Sequence, residues 1–181
     1  MRVIGGRFRG TRLHTPKGVE IRPTADRLRE SIFNILGSRP HTKRVLDLYA
    51  GTGAMGIEAL SRGAAHAVFI DRNPGALDLI RKNIAKVRAA EQTTVIPWDI
   101  ARNLQCLCGR EAFDLVFVDP PYRKGLIHRT LVNLQSAGIE FTSVIIEHDG
   151  EERLGDLPHG FELRDQRRYG KTLVSFLDGV L

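Results

Sequence analysis

From Arg44 onward, short runs of apolar and β-branched residues recur along the chain, at 45–49, 68–71, 94–96, 115–119 and 144–147. Near-continuous hydrophobicity over so few positions is the pattern of strands covered on both faces, as in a parallel sheet. Helical spacing fills the gaps. Asn73 is placed to cap a helix with Pro74 at its first position, and Leu77, Ile80, Ile84 and Val87 follow at intervals of three, four and three. Ile127, Leu131 and Leu134 mark a second helix, with Gly138 as its stop. A third is predicted over 24–36, with Leu28, Ile32, Ile35 and Leu36 on one side and Gly37 at its end. Alternating strands and helices predict an α/β fold with a mostly parallel sheet and helices on both faces.

The two ends break this rhythm. Residues 161–168 and 173–177 flank Tyr169-Gly170-Lys171-Thr172, which predicts a terminal antiparallel hairpin. Residues 7–13 form a glycine-punctuated basic stretch, read as a strand or hairpin. No repeat, low-complexity tract or second core interrupts the chain. The expectation is one domain over 1–181, with a short basic N-terminal extension (1–43) ahead of a catalytic core (44–181).

Charge changes the picture more than composition does. The 181 residues carry a net charge of +6. Residues 1–44 hold eleven Lys and Arg against three acids, so the whole positive excess lies in that quarter. A solvated basic face is one reading; a phosphate-backbone partner is the other. Arg7, Arg9, Arg12 and Arg22 are the candidate contacts. No apolar run approaches the ~20 residues that span a bilayer, and no apolar signal core follows the N-terminus. Cys106 and Cys108 are two residues apart with no second pair, which suits reduced thiols rather than a disulfide or a zinc site. The six histidines show no ligand spacing. The reading is a cytoplasmic, unprocessed protein without a membrane or metal partner.

Gly51-Thr52-Gly53-Ala54-Met55-Gly56 is a G-x-G-x-x-G loop between a predicted strand and a helix, where glycine lets the backbone turn tightly and approach a ligand. Alone it does not separate a dinucleotide from S-adenosylmethionine. The acids do. Asp47, Asp71, Asp99, Asp119 and Glu147 lie in or just after successive strands, and an open α/β sheet binds ligands outside the carboxyl ends of its strands. Converging carboxylates repel unless a cation or many donors share the crevice. A sulfonium with an ammonium and a ribose supplies both, whereas a pyrophosphate is repelled. Asp71 at the end of the second run suits ribose hydroxyls.

Asp119-Pro120-Pro121-Tyr122 is the most specific signal. Two prolines stiffen the chain and donate no hydrogen bond, so the local polar surface consists of acceptors beside an aromatic ring. That surface suits a base presenting an NH2 group. Asp119 and the Pro120 carbonyl are the candidate acceptors for its two N–H groups, and Tyr122 is the candidate stacking ring. An ordinary proline turn with a packing tyrosine is the bland alternative.

Asp-Pro-Pro-Tyr after such a loop resembles the class I methyltransferases that modify exocyclic amino groups of nucleobases. The chain is more closely similar to the bacterial 16S ribosomal RNA guanine-N2 methyltransferases. The resemblance rests on Arg2-Val3-Ile4-Gly5-Gly6, Arg22-Pro23-Thr24, residues 47–56, residues 58–64 and Tyr169-Gly170-Lys171-Thr172, and covers nearly the whole chain. Tyr49, Thr52 and Asp71 depart mildly from the expected Phe, Ser and Glu; residues 100–112 carry no motif. The resemblance implies a Rossmann-like, seven-stranded sheet and S-adenosylmethionine as cofactor. It assigns Gly51, Gly53 and Gly56 to the cofactor loop, Asp47 to the methionine end, Asp71 to the ribose and Asp99 to the adenine. The implied partner is 16S rRNA or the small ribosomal subunit, met by a monomer. DNA adenine-N6 methylation, a nicotinamide oxidoreductase and a non-catalytic RNA-binding module fit less of the sequence.

Overall fold

The computed structural model describes residues 1–16, 23–122, 124–152 and 154–179, the side chains of 23–25 excepted. Helix α1 spans Pro23–Leu36. Then follow β1 (Arg44–Leu48), α2 (Ala54–Ser61), β2 (His66–Asp71), α3 (Pro74–Val87), β3 (Thr93–Pro97) and β4 (Phe113–Val118). The chain closes with α4 (Leu126–Ser136), β5 (Phe141–Asp149), β6 (Phe161–Tyr169) and β7 (Thr172–Gly179). The strands form one sheet in the order β3-β2-β1-β4-β5-β7-β6. The first five run parallel; β7 is inserted antiparallel between β5 and β6.

The period of two along each strand sorts the core into two layers. Val45, Phe69, Leu115, Phe117 and Ile145 face α1, α2 and α3, while Leu46, Leu48, Val68, Ile70, Val116 and Val118 face α4 and the segment after β3. Helix α3 starts where Asn73 predicts: its Oδ1 accepts the Gly75 N–H at 2.8 Å, with Pro74 in the first turn, a cap of the kind that contributes about 1 kcal/mol. Helix α2 packs close on β2 because Gly56 has no side chain; a Cβ there lies 2.4 Å from the Phe69 ring.

Two local expectations change, and the motif-free segment gains a structure. Ile35 is 37% exposed, and Phe33 is the fully buried residue of that turn, 5.6 Å from the Phe117 ring. Tyr49 does not extend β1 but takes a left-handed conformation, φ 58°. The apolar residues of the motif-free segment, Ile100, Leu104 and Leu107, are buried by turns and a 3-10 helix, Gln105–Leu107.

Residues 7–13 are neither a regular strand nor a regular hairpin. A 3-10 turn, Gly6–Phe8, is followed by a single antiparallel bridge between Arg2 and Arg12. The ribbon is pinned to the core by buried side chains. Glu58, 1% exposed, accepts the N–H groups of Ile4 (2.8 Å) and Gly5 (2.9 Å). Ser61 accepts from Phe8 N–H and donates to the Gly5 carbonyl. Asn83 brackets His14, accepting its N–H at 2.6 Å and donating to its carbonyl at 3.0 Å. The same Asn83 amide donates to the Thr52 carbonyl at 2.9 Å, which ties the segment before α1 to the glycine loop. No described helix is long and apolar enough to cross a membrane.

Candidate active site

The strand order reverses between β1 and β4, so the chain leaving these two neighbours parts to opposite faces and opens a crevice. Two connected hollows occupy it. One of about 750 Å³ is bounded by Tyr49, Asp71, Trp98, Asp99, Tyr122 and Glu147, with Asp119, Pro120 and Pro121 in its wall. A smaller one of about 270 Å³ reaches Arg29, Asp47, Gly51, Asp119 and Glu147. The predicted acids therefore meet in one place.

Each acid is held differently. Asp47 shares the face of Val45, which puts it beneath the first turn of α2. Its Oδ2 accepts the Gly56 N–H at 2.9 Å and it is 3% exposed. Burial pushes its pKa up to about 7; the Gly56 bond opposes this and the charge of Asp71 adds to it. The bond ties β1 to the first turn of α2. Asp71 accepts the Gly51 N–H at 2.9 Å on one oxygen and the Asn73 N–H at 2.8 Å on the other, so its orientation is fixed before any ligand arrives. Asp99 accepts the Ala101 N–H at 3.1 Å and pairs with Arg72 at 3.1 Å, an exposed ion pair of small energetic value.

Gly51 and Gly53 have φ of 56° and 75°, a region L side chains rarely adopt, and together they turn the chain into α2. The turn begins one residue earlier than sequence suggests, at Tyr49. Its hydroxyl bonds the Thr130 hydroxyl at 2.8 Å, and Thr130 donates onward to the Leu126 carbonyl. Tyr49 thus ties the entrance of the loop to α4, and a left-handed non-glycine residue at such a place is stored strain.

Asp119 follows β4 directly. As a residue it is exposed, because it opens onto the crevice. The crevice walls partly desolvate its carboxyl, and this, with Glu147 and Asp47 facing it, raises its pKa well above the ordinary carboxylate value. Among the described residues no donor bonds this carboxylate. Pro120 is buried and Tyr122, 40% exposed, presents its ring at the rim. The Tyr122 hydroxyl donates to Glu147 Oε1 at 3.1 Å, so it is engaged as well as the ring.

Two residues of the crevice escape a reading of motifs. Glu147 ends the fifth apolar run, and only that position signals it. Arg29 gives no local signal: it reaches the crevice from α1, 4% exposed, bonded to the Arg2 carbonyl at 2.5 Å and to Asp26 at 2.9 Å. Among the described residues its Nε has no hydrogen-bond partner, with Glu58 Oε2 3.7 Å away. Of the four basic candidates, Arg9 and Arg12 are exposed, and Arg7 is exposed but bonds Gln92 and lies 4.5 Å over the Phe8 ring. Arg22 lies outside the described residues. Arg2, Arg9 and Arg27 line a cleft of about 440 Å³ between the ribbon and α1.

A 3-2-1-4-5-7-6 sheet with a glycine loop after β1 and an acid at the end of β2 is the Rossmann-like fold of the class I methyltransferases. The chain belongs to the family described as "Conserved hypothetical protein 95", whose model matches residues 1–178. It is 35% identical to "Putative rRNA methyltransferase YlbH" of Bacillus subtilis over 97% of both chains. It is 33% identical to "Ribosomal RNA small subunit methyltransferase D" of Escherichia coli over 95% of this chain and 86% of that one. The solved structure titled "Putative methyltransferase yhhF from Escherichia coli" superposes with a TM-score of 0.86 at 32% identity, covering 99% of this chain and 97% of that one.

Proposed function

We propose that this protein methylates ribosomal RNA, transferring the methyl group of S-adenosylmethionine to the exocyclic N2 amino group of a guanine in 16S rRNA. The observation that carries the reading is the Asp119 carboxylate, which opens onto the crevice beside a buried proline with no donor of its own. An acceptor presented at the crevice wall with no protein donor among the described residues is free to take an N–H from a ligand. The names of the relatives support the RNA substrate.

The crevice fits the cofactor by charge and by shape. Five acids face three basic side chains, Arg29, Arg72 and Lys124, so a cationic ligand relieves repulsion that the free protein bears. Gly51 and Gly53 give the close backbone approach, Asp71 the acceptor for ribose hydroxyls, Trp98 and Ile100 an apolar wall for the adenine beside Asp99, and Asp47 a charge near the methionine end. Gly56 acts through α2, keeping the helix close to β2 and donating to Asp47. When bound, S-adenosylmethionine supplies the electrophilic methyl group.

The protein's part is orientation. An aromatic amine is a weak nucleophile because its lone pair is delocalised into the ring. Asp119 and the Pro120 carbonyl each take one N–H, which frees the lone pair to point out of the ring plane, and Tyr122 holds the base by its face. The methylated amine is acidic, so its surplus proton passes to Asp119 and on to water. A paired base hides this edge; the target is unpaired or flipped. Small-subunit rRNA from a strain lacking the protein is expected to have lost one N2-methylguanosine on nucleoside digestion. An unchanged digest contradicts the reading.

Two further outcomes follow. Asp47 has a folded pKa of about 7 against 3.8, so its favourable contribution is complete below about pH 4 and is lost as pH rises through about 7. A cationic cofactor opposes that loss. The melting temperature of the free protein therefore falls between about pH 4 and pH 7 more steeply than that of Asp47→Asn, and the rise on adding S-adenosylmethionine grows over the same interval. Thermal melts across pH test this; a cofactor effect that shrinks as pH rises contradicts it. Separately, replacing Arg7, Arg9 and Arg12 with alanine is expected to weaken RNA binding and reduce the slope of log affinity against log salt by up to roughly 3, at about one unit per phosphate contact, with cofactor affinity unchanged. An unchanged slope makes them a solvated face.

A further inference from the structure

The crevice holds a second carboxylate on the same side as Asp119, and the orientation chemistry above leaves it unused. Glu147 sits on β5, which pairs with β4, and it borders both hollows alongside Asp119. It is half-buried. The groups that face it are few. The Tyr122 hydroxyl donates to Oε1 at 3.1 Å, and Thr172 on β7 bonds that hydroxyl in turn. The Arg29 guanidinium faces it from α1, and Asp119 faces it from the end of β4. Among the described residues Tyr122 is the only side chain that hydrogen-bonds it, so Oε2 has no side-chain donor. Arg29 is itself held by the Arg2 carbonyl and Asp26, which fixes this counter-charge in place.

We propose that Glu147 makes the crevice selective for guanine, its free oxygen accepting the N1–H of the base whose N2 amine is held by Asp119. This rests on the guanine-N2 reading above and goes past it to the residue that chooses the base. The argument is complementarity of donors and acceptors. On this edge guanine offers three neighbouring hydrogens, two on N2 and one on N1. Asp119, the Pro120 carbonyl and Glu147 form a surface of acceptors only. Adenine offers an amine beside the N1 lone pair, and that lone pair meets the Glu147 carboxylate with nothing to share. A site built around a donor rejects the analogue that lacks it, because the site's own polar group is left unpaired. Tyr122 contributes twice, by its face to the base and by its hydroxyl to the angle of Glu147.

The test compares RNA carrying guanine at the target position with RNA carrying 2-aminopurine there, which keeps the N2 amine but has an N1 acceptor in place of N1–H. Wild type, Glu147→Gln and Tyr122→Phe are each assayed for kcat and KM on both, beside cofactor binding. Wild type is expected to favour guanine by roughly 10- to 100-fold in kcat/KM, the range for a hydrogen bond to a charged group. Glu147→Gln is expected to close or invert that ratio, because its amide can donate to N1 of 2-aminopurine. Tyr122→Phe is expected to lower both substrates while keeping the preference. Equal use of the two bases by the wild type overturns the inference without any variant. So does a Glu147→Gln protein that loses the same factor on both, which makes Glu147 an anchor for Tyr122 only. Absence of transfer to guanine RNA by a cofactor-binding wild type overturns the underlying reading, and the inference with it.

Discussion

Asp119→Ala is expected to lose at least about 10²-fold, and as much as about 10⁴-fold, in single-turnover methyl transfer while the protein stays folded and binds cofactor normally. The magnitude is that of removing one oriented group from a reacting centre, about 3–5 kcal/mol. The loss belongs in kcat, because the bond from the amine to Asp119 matters most as the lone pair is drawn out of the ring. Stability moves the other way. The carboxylate is desolvated, faces Glu147 and Asp47 and has no donor among the described residues, so its removal relieves repulsion in the free protein. A melting temperature equal to or above that of the wild type, combined with lost transfer, separates this account from a proline turn that only closes β4. A stable and fully active Asp119→Ala protein contradicts the mechanism.

Asp71→Ala is expected to weaken S-adenosylmethionine and its demethylated product alike, by roughly 10- to 150-fold in calorimetry, since the ribose is common to both and a hydrogen bond to a charged acceptor contributes about 1.5–3 kcal/mol. The structure adds a second reason for a large effect. Asp71 also accepts from Gly51 and Asn73, so alanine at this position leaves two backbone donors free and loosens the glycine loop. The upper part of the range is therefore expected. Unchanged affinity removes Asp71 from the cofactor site.

Much of this site is visible in sequence because its parts are local. A strand-terminal acid, a glycine loop and a rigid Pro-Pro each report their own geometry, and the strands that carry them are short, apolar and bounded. Asn73 with Pro74 announces α3 for the same reason. What sequence hides is what depends on distant partners. Arg29 lies in an amphipathic helix like any surface arginine, yet the fold buries it between Arg2 and Glu58. Glu58 and Asn83 hold the N-terminal ribbon across more than fifty residues of sequence. Tyr49 takes a left-handed turn because a hydroxyl on α4 receives it, not because of its neighbours in the chain. The contact of Asp47 with Gly56 was within reach: the alternation along β1 places Asp47 on the face of Val45, under α2.

The N-terminal ribbon is joined to the crevice at two points. Asn83 joins His14 to the carbonyl of Thr52 inside the glycine loop, and Arg29 joins the carbonyl of Arg2 to the crevice acids. The basic surface proposed to meet RNA is thereby fastened to both sides of the crevice.

The proposed reaction places a methyl group on N2 of guanine in small-subunit rRNA. Its most direct test incubates the purified protein with S-adenosylmethionine carrying a labelled methyl group and with 16S rRNA from cells lacking the protein, presented both naked and in small subunits, then digests the RNA to nucleosides and identifies the labelled one by mass. The account predicts label in N2-methylguanosine alone, in at least one of the two presentations. Label in a different nucleoside, or none in either form with a protein shown to bind the cofactor, contradicts it.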